Sequence, residues 1–223
     1  MAISNNMNLK AAHIAGSANV LPDQLSRIRI RPTEWTLNDK VLRQIFQIWG
    51  TPLIDLFASY QNKKMDIFCT WDHHHQAYAV DAFSVTWDRM FAYAFPPICL
   101  VPKVLEHMKR GQCQLILIAP QWPRRHWYPE LLQLCVANPI RLPAVSDLLN
   151  QPKTIINHPN SKVFSLNAWL LSTNSSLQKA FHRKLANFYQ PRGDQGLRGI
   201  TQVNSDSSVV GVVKNKLICI QHL

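Results

Sequence analysis

Three short apolar runs punctuate the middle of the chain: residues 53–57 (LIDLF), 91–95 (FAYAF) and 114–118 (QLILI). Each has the length and the β-branched or aromatic character of a core strand, and each gives way to polar, proline or tryptophan residues. Between the second and third runs, Leu100, Val101, Val104, Leu105 and Met108 recur at helical spacing, and Gly111 stands where a C-terminal cap would sit. A strand, a crossover helix and a second strand predict a parallel pair, and ligands of such sheets bind beyond the carboxyl ends of the strands. The loops at Ala58, Pro96 and Pro120 are therefore expected to share one rim.

The flanking pattern predicts more helix than strand. Over residues 36–49, Leu37, Val41, Ile45, Phe46 and Trp49 line one face, Thr36 is placed to cap, Asp39 stands at the capping-box spacing, and Gly50 and Pro52 stop the helix. Residues 128–136 read as a further helix, and 139–152 as a proline-punctuated meander. Residues 177–188 read as a basic amphipathic helix with Leu177, Phe181, Leu185 and Phe188 on one side. Residues 59–72 look irregular, 167–172 is an apolar stretch around Trp169, and 209–223 suits a hairpin turning at Asn215. The polar start of the chain and the glycine- and serine-rich 190–208 carry no periodicity, so partly disordered termini are expected. The fold class implied is α/β, a mainly parallel sheet with flanking helices.

Composition agrees with a packed globule: of 223 residues, 47% are hydrophobic and only 17% charged. The net charge of +11 and pI of about 9.7 favour a polyanionic partner, nucleic acid foremost. The five cysteines include no CxxC pair, which points to thiols rather than disulfides or a zinc framework. Apolar runs are broken by proline or charge well before membrane-spanning length, so no membrane partner is expected, and the location expected is intracellular, in nucleus or cytoplasm.

Several residues carry candidate chemistry. Asp55 lies in an otherwise apolar run, so its carboxylate is either bonded to nearby backbone donors or aimed at a ligand. Consecutive His73, His74 and His75 suggest metal binding, yet neighbouring side chains diverge and no zinc-spaced partner accompanies them, so a polar loop is the better reading and no metal is expected. Pro96 and Pro97 remove two backbone donors at a strand end, either exposing carbonyls to a ligand or stiffening a connection. Trp122, Arg124, Arg125 and Trp127 could stack on bases and contact phosphates, or form a packed aromatic corner with two solvated arginines.

Two resemblances sharpen these expectations. HIAGSANVLPDQLSR (13–27) resembles the closing motif of retroelement RNase H domains, which implies that Asp23 corresponds to the last acidic ligand of a two-metal site. The earlier ligands of that site lie on preceding strands, so Asp23 is expected to be an isolated remnant without metal. DLFAS with Asn62, then DAFSVTW, then an aromatic strand ending in Pro-Pro, resembles phage-type Dam-like DNA N6-adenine methyltransferases. That implies a Rossmann-like methyltransferase fold, S-adenosylmethionine as cofactor near Asp55, Phe57, Ala58 and Ser59, and a base-binding motif at Phe95, Pro96, Pro97 and Ile98. In that family an Asn or Asp side chain and a proline carbonyl hold the amine of a flipped adenine, and an aromatic stacks on the base. Here Phe95 replaces the polar side chain and Ile98 the aromatic, and no G-x-G loop follows the first strand.

EWTL, WGTPLIDLFAS, DAFSVTW, FAYAFPP, LILIAPQWP, RLPAVSDLL, HPN and LNAWLLS together resemble the region downstream of RNase H in DIRS-like, tyrosine-recombinase retrotransposons. Three segments are implied: an RNase H tail and basic linker over 1–32, a degenerate Dam-like domain over 33–172, and over 173–223 a basic helix and flexible linker leading toward a recombinase. The expected function is a fragment of a retrotransposon polyprotein (reverse transcriptase, RNase H, recombinase) whose methyltransferase-like domain is inactive and binds nucleic acid, with no cofactor. The alternatives are an active S-adenosylmethionine-dependent adenine methyltransferase and a non-catalytic connector between polyprotein enzymes.

Overall fold

In a computed structural model, residues 34–152, 154, 156–159, 161–185 and 209–223 are described, and Trp35–Leu223 forms one compact unit. Asp23 and the expected RNase H tail lie outside the described residues, as do the basic linker and residues 186–208. The described chain is mixed α/β, with a large mixed sheet and four α-helices.

Residues Thr36–Leu37 (β1) pair antiparallel with Leu149–Asn150 (β8) rather than opening the first helix. Asn38 is the cap: its side chain accepts from the Lys40 backbone N–H at 2.9 Å, and helix α1 runs Asp39–Trp49 to Gly50. The large sheet has eight strands. Its parallel half comprises β2 (Ile54–Ala58), β3 (Ile67–Thr70), β4 (Ala79–Val80), β5 (Phe91–Ala94) and β6 (Gln114–Pro120), in the order β4-β3-β2-β5-β6. The chain leaves β2 toward one edge through β3 and β4, then returns to β5 on the other side, so the strand order reverses between β2 and β5. Beyond β6, strand β9 (Leu166–Ser172) runs antiparallel to it, followed by β7 (Ile140–Arg141) and β12 (Gln221–His222). Residues 59–72, read from sequence as irregular, contain β3. That strand is short, and Lys63, Lys64 and Asp66 before it mask its apolar pattern.

Alternation along the strands assigns the two faces. Tyr93, Ile116, Ile118, Ile140, Ala168 and Leu170 pack with Val41, Leu42 and Ile45 of α1. Ala92, Ala94, Leu115, Leu117, Trp169 and Leu171 pack with helices α2 (Val101–Met108) and α3 (Tyr128–Leu134). Helix α4 (Ser175–Lys184), capped by Asn174, adds Phe181 to that second face. The hairpin β10 (Val209–Val213) and β11 (Lys216–Cys219) turns at Lys214–Asn215 and adds Val210, Val213 and Ile218. The buried core thus takes in Phe181, Val210, Val213 and Ile218 as well as the sheet. Helices on both faces bury most of the central strands β2, β5 and β6, as their near-continuous apolar sequences require, while Ile67 of β3 and Val80 of β4 stay exposed toward the sheet edge.

Candidate functional site

The carboxyl ends of β2, β5 and β6 lie side by side, because these strands are neighbours and parallel. Together with the loop after β3 they form the rim on which a ligand of such a sheet would sit.

Asp55, the second residue of β2, is 2% exposed, and both its carboxylate oxygens are engaged by backbone around the loop that follows the strand. Oδ1 accepts from the Phe57 N–H at 3.2 Å and Oδ2 from the Lys64 N–H at 3.0 Å. Of the two sequence readings, backbone bonding is the one observed. Burial drives the Asp55 pKa up from 3.8 to about 6, against the two backbone donors and the Lys64 charge that pull it down. Asn62 closes the same loop, its Oδ1 accepting from the Ser59 N–H at 2.6 Å. The Ser59 carbonyl accepts from the Asn62 and Lys63 N–H groups. Phe57 packs edge-on against Phe83 at 5.5 Å, Ala58 is buried, and Ser59 is 7% exposed. The four candidate cofactor residues thus shape the loop. A polar cavity of about 220 Å³ opens beside them, lined by Thr36, Asp39, Asn62, Lys63, Lys64 and Asn150 among others. Lys64 and Asp39 form an ion pair at its wall.

At the end of β5, Phe95 follows Phe91 and Tyr93 onto the α1 face and packs against that core half-buried. Pro96 is buried and Pro97 exposed. The Pro97 carbonyl accepts from the Leu100 N–H at 2.8 Å, closing a 3₁₀ turn, Ile98–Leu100, of which Ile98 is the half-buried first residue. The segment before β5 is equally committed to structure. Asp81, at φ 66°, accepts from the Phe83 N–H at 3.0 Å, and Trp87, 3% exposed, donates from Nε1 to the Ala82 carbonyl at 2.9 Å. His107 is buried against Trp87 and Phe83, its Nε2 3.0 Å from the Val85 carbonyl oxygen.

At the end of β6, Arg124, Arg125 and His126 are exposed, and the Arg125 guanidinium lies over the half-buried Trp122 ring at 5.2 Å. Trp127 departs from the base-stacking expectation: it is 4% exposed and packed in the core beside Tyr128, because the helix that starts there turns its ring inward. Trp122 and the two arginines remain on the rim. One polar grouping there carried no sequence signal. Gln121 Oε1 accepts from Arg141 Nη2 at 3.2 Å and Asn167 Nδ2 at 3.4 Å, residues brought together only by sheet pairing. After β3, a turn folds the His74 and His75 rings onto each other at 4.6 Å, and His74 stacks on Tyr60 at 4.4 Å. The three consecutive histidines were legible in the sequence, as a polar loop, but their stacking was not.

The N–H groups of Phe57 and Lys64 serve the Asp55 carboxylate, that of Ser59 serves the Asn62 side chain, those of Asn62 and Lys63 serve the Ser59 carbonyl, and the Phe95 side chain offers no acceptor. No protein-family model matches the chain, and no curated protein matches it.

Proposed function

We propose that this domain is a methyltransferase-like scaffold, derived from a DIRS-like retrotransposon polyprotein, that has lost methyl transfer and binds nucleic acid through its basic carboxyl rim. The reversal of strand order between β2 and β5, with helices on both faces of the sheet, supports a Rossmann-like scaffold, since such sheets bind their ligands at the point where the order reverses. One observation carries the loss of chemistry. Of the residues that agree with the Dam-like pattern, Asp55 and Asn62 bond backbone in the loop, Asp81 caps a turn, Trp87 anchors the core, and the Pro97 carbonyl is taken by the Leu100 N–H. The positions that diverge, Phe95 and Ile98, are those that would touch the reacting base.

The net charge of +11 and the exposed Arg124, Arg125 and His126 support a polyanionic ligand. Calorimetric titration with S-adenosylmethionine at about millimolar concentration, near the weak limit of specific binding, is expected to give neither heat nor a thermal shift. Nucleic acid is expected to bind at low salt with an affinity that falls steeply as salt rises. Methyl incorporation into DNA would overturn the proposal in favour of the active enzyme. Negligible nucleic-acid affinity even at low salt would leave the connector role.

A further inference from the structure

Residues 60–78, which span the loops on either side of β3, present an aromatic surface that the methyltransferase-like reading does not use. Near-parallel rings of Tyr60, His74 and His75 form a stack: Tyr60 to His74 at 4.4 Å and 14°, His74 to His75 at 4.6 Å and 25°. Neighbouring histidine side chains normally diverge. Here the backbone reverses, with the Ala77 N–H donating to the His74 carbonyl at 3.0 Å and the Gln76 N–H to His74 Nδ1 at 3.2 Å. The Lys63 ammonium lies over two rings, 4.8 Å from the Phe68 centroid and 5.4 Å from Tyr60, so the stack is rooted on the buried Phe68 of β3. Tyr60 is 39% exposed, and Trp71 and Tyr78 on the same segment are 49% and 58% exposed. Exposed aromatic rings grouped in this way mark a surface on which a ligand can pack.

Charge narrows the class of partner. Lys63 sits at the stack, Lys64 is paired with Asp39, and Asp66 and Asp72 lie exposed on the same segment, so the local balance is close to neutral. A surface of that kind has little to offer the phosphates of a duplex, whose base faces are already covered. Unpaired bases, in contrast, stack on aromatic and imidazole rings in a sequence-tolerant way. His74 strengthens the match: surrounding groups, with desolvation first and then His75, Lys63 and His73, lower its pKa, which keeps the ring uncharged at neutral pH.

We propose that the Tyr60–His74–His75 stack, with Lys63 at its base, is a stacking platform for the unpaired bases of single-stranded nucleic acid. It rests on the nucleic-acid reading above and adds to it the strandedness and the place of contact. The arginines after β6 would then supply the electrostatic part along the same rim, and the stack the preference for unpaired bases.

Fluorescence anisotropy of the full chain with labelled oligonucleotides of about eight nucleotides, within the range such sites cover, tests the platform. Deoxythymidylate, ribouridylate and duplex probes are compared. His75→Ala and Tyr60→Leu are expected to weaken single-strand binding about ten-fold, leave duplex binding within about two-fold, and keep the wild-type thermal melt. Tyr60→Phe, which keeps the ring, is expected to bind as wild type, and Trp71→Leu to remove part of the tryptophan quenching produced by added single strand. Unchanged single-strand affinity in His75→Ala and Tyr60→Leu, with loss of binding in Arg124→Ala/Arg125→Ala, overturns the platform and leaves the basic rim standing. No binding of any probe by the wild type at low salt overturns the nucleic-acid reading itself, and the platform with it.

Discussion

Asp55 shows how one side chain can be legible in sequence and still ambiguous. A carboxylate inside Leu53–Phe57 had to be satisfied or functional, and the sequence could not separate these, because the donors that satisfy it come from backbone at Phe57 and from Lys64, nine residues on. Its energetics can be measured directly. The native pKa of about 6 exceeds the ordinary 3.8, so the native state holds this proton more tightly than the unfolded chain does. The corresponding stability is complete below about pH 4 and is lost as pH rises through 6, a difference of about 3 kcal/mol. Urea unfolding between these pH values should show that loss in the wild type, and Asp55→Asn should abolish it. An identical pH slope in the two proteins would mean that Asp55 is not the group responsible. Phe95 was the opposite case: its identity alone announced that the acceptor was missing, and the fold only adds that the ring packs on the α1 face.

At the scale of elements, periodic runs were read well and short or interrupted ones poorly. Residues 91–95, 100–110 and 114–118 became β5, α2 and β6 with shifts of a residue or two at the ends. The start of α1 was misplaced because Thr36 and Asn38 are both good caps by composition, and what decides between them is the non-local pairing of Thr36 with Asn150. Asn38 also fastens the helix to the 145–150 loop, its Nδ2 donating to Asp147 Oδ2 at 2.9 Å and its backbone N–H to the Leu148 carbonyl at 2.9 Å. Asn38→Ala is therefore expected to destabilise the domain by about 1–2 kcal/mol, the upper part of the range for a lost cap, read as a lower urea midpoint with an unchanged m-value. A change below about 0.3 kcal/mol would return the capping role to other groups.

For the whole molecule, the central parallel strands β2, β5 and β6 and their shared carboxyl rim followed from local patterns, whereas β3, β4 and the antiparallel half did not. Strand β9 was visible only as an apolar stretch around Trp169. Its place between β6 and β7 depends on pairing from Gln114↔Ser172 to Pro120↔Leu166, which no local pattern encodes. The same holds for β12, whose two residues pair with β7 from the far end of the chain. The distribution of thiols is also a property of the assembled molecule. Cys69, Cys113 and Cys135 are buried, and burial pushes the first two up to about 11 and Cys135 higher still, while Cys219 is half-covered. Cys99 alone is exposed, in the turn that follows Pro97. At neutral pH a maleimide dye is expected to couple to this position first, with the peptide containing Cys99 carrying most of the label by mass spectrometry. The native chain would thereby carry its own attachment point for an optical reporter beside the two prolines.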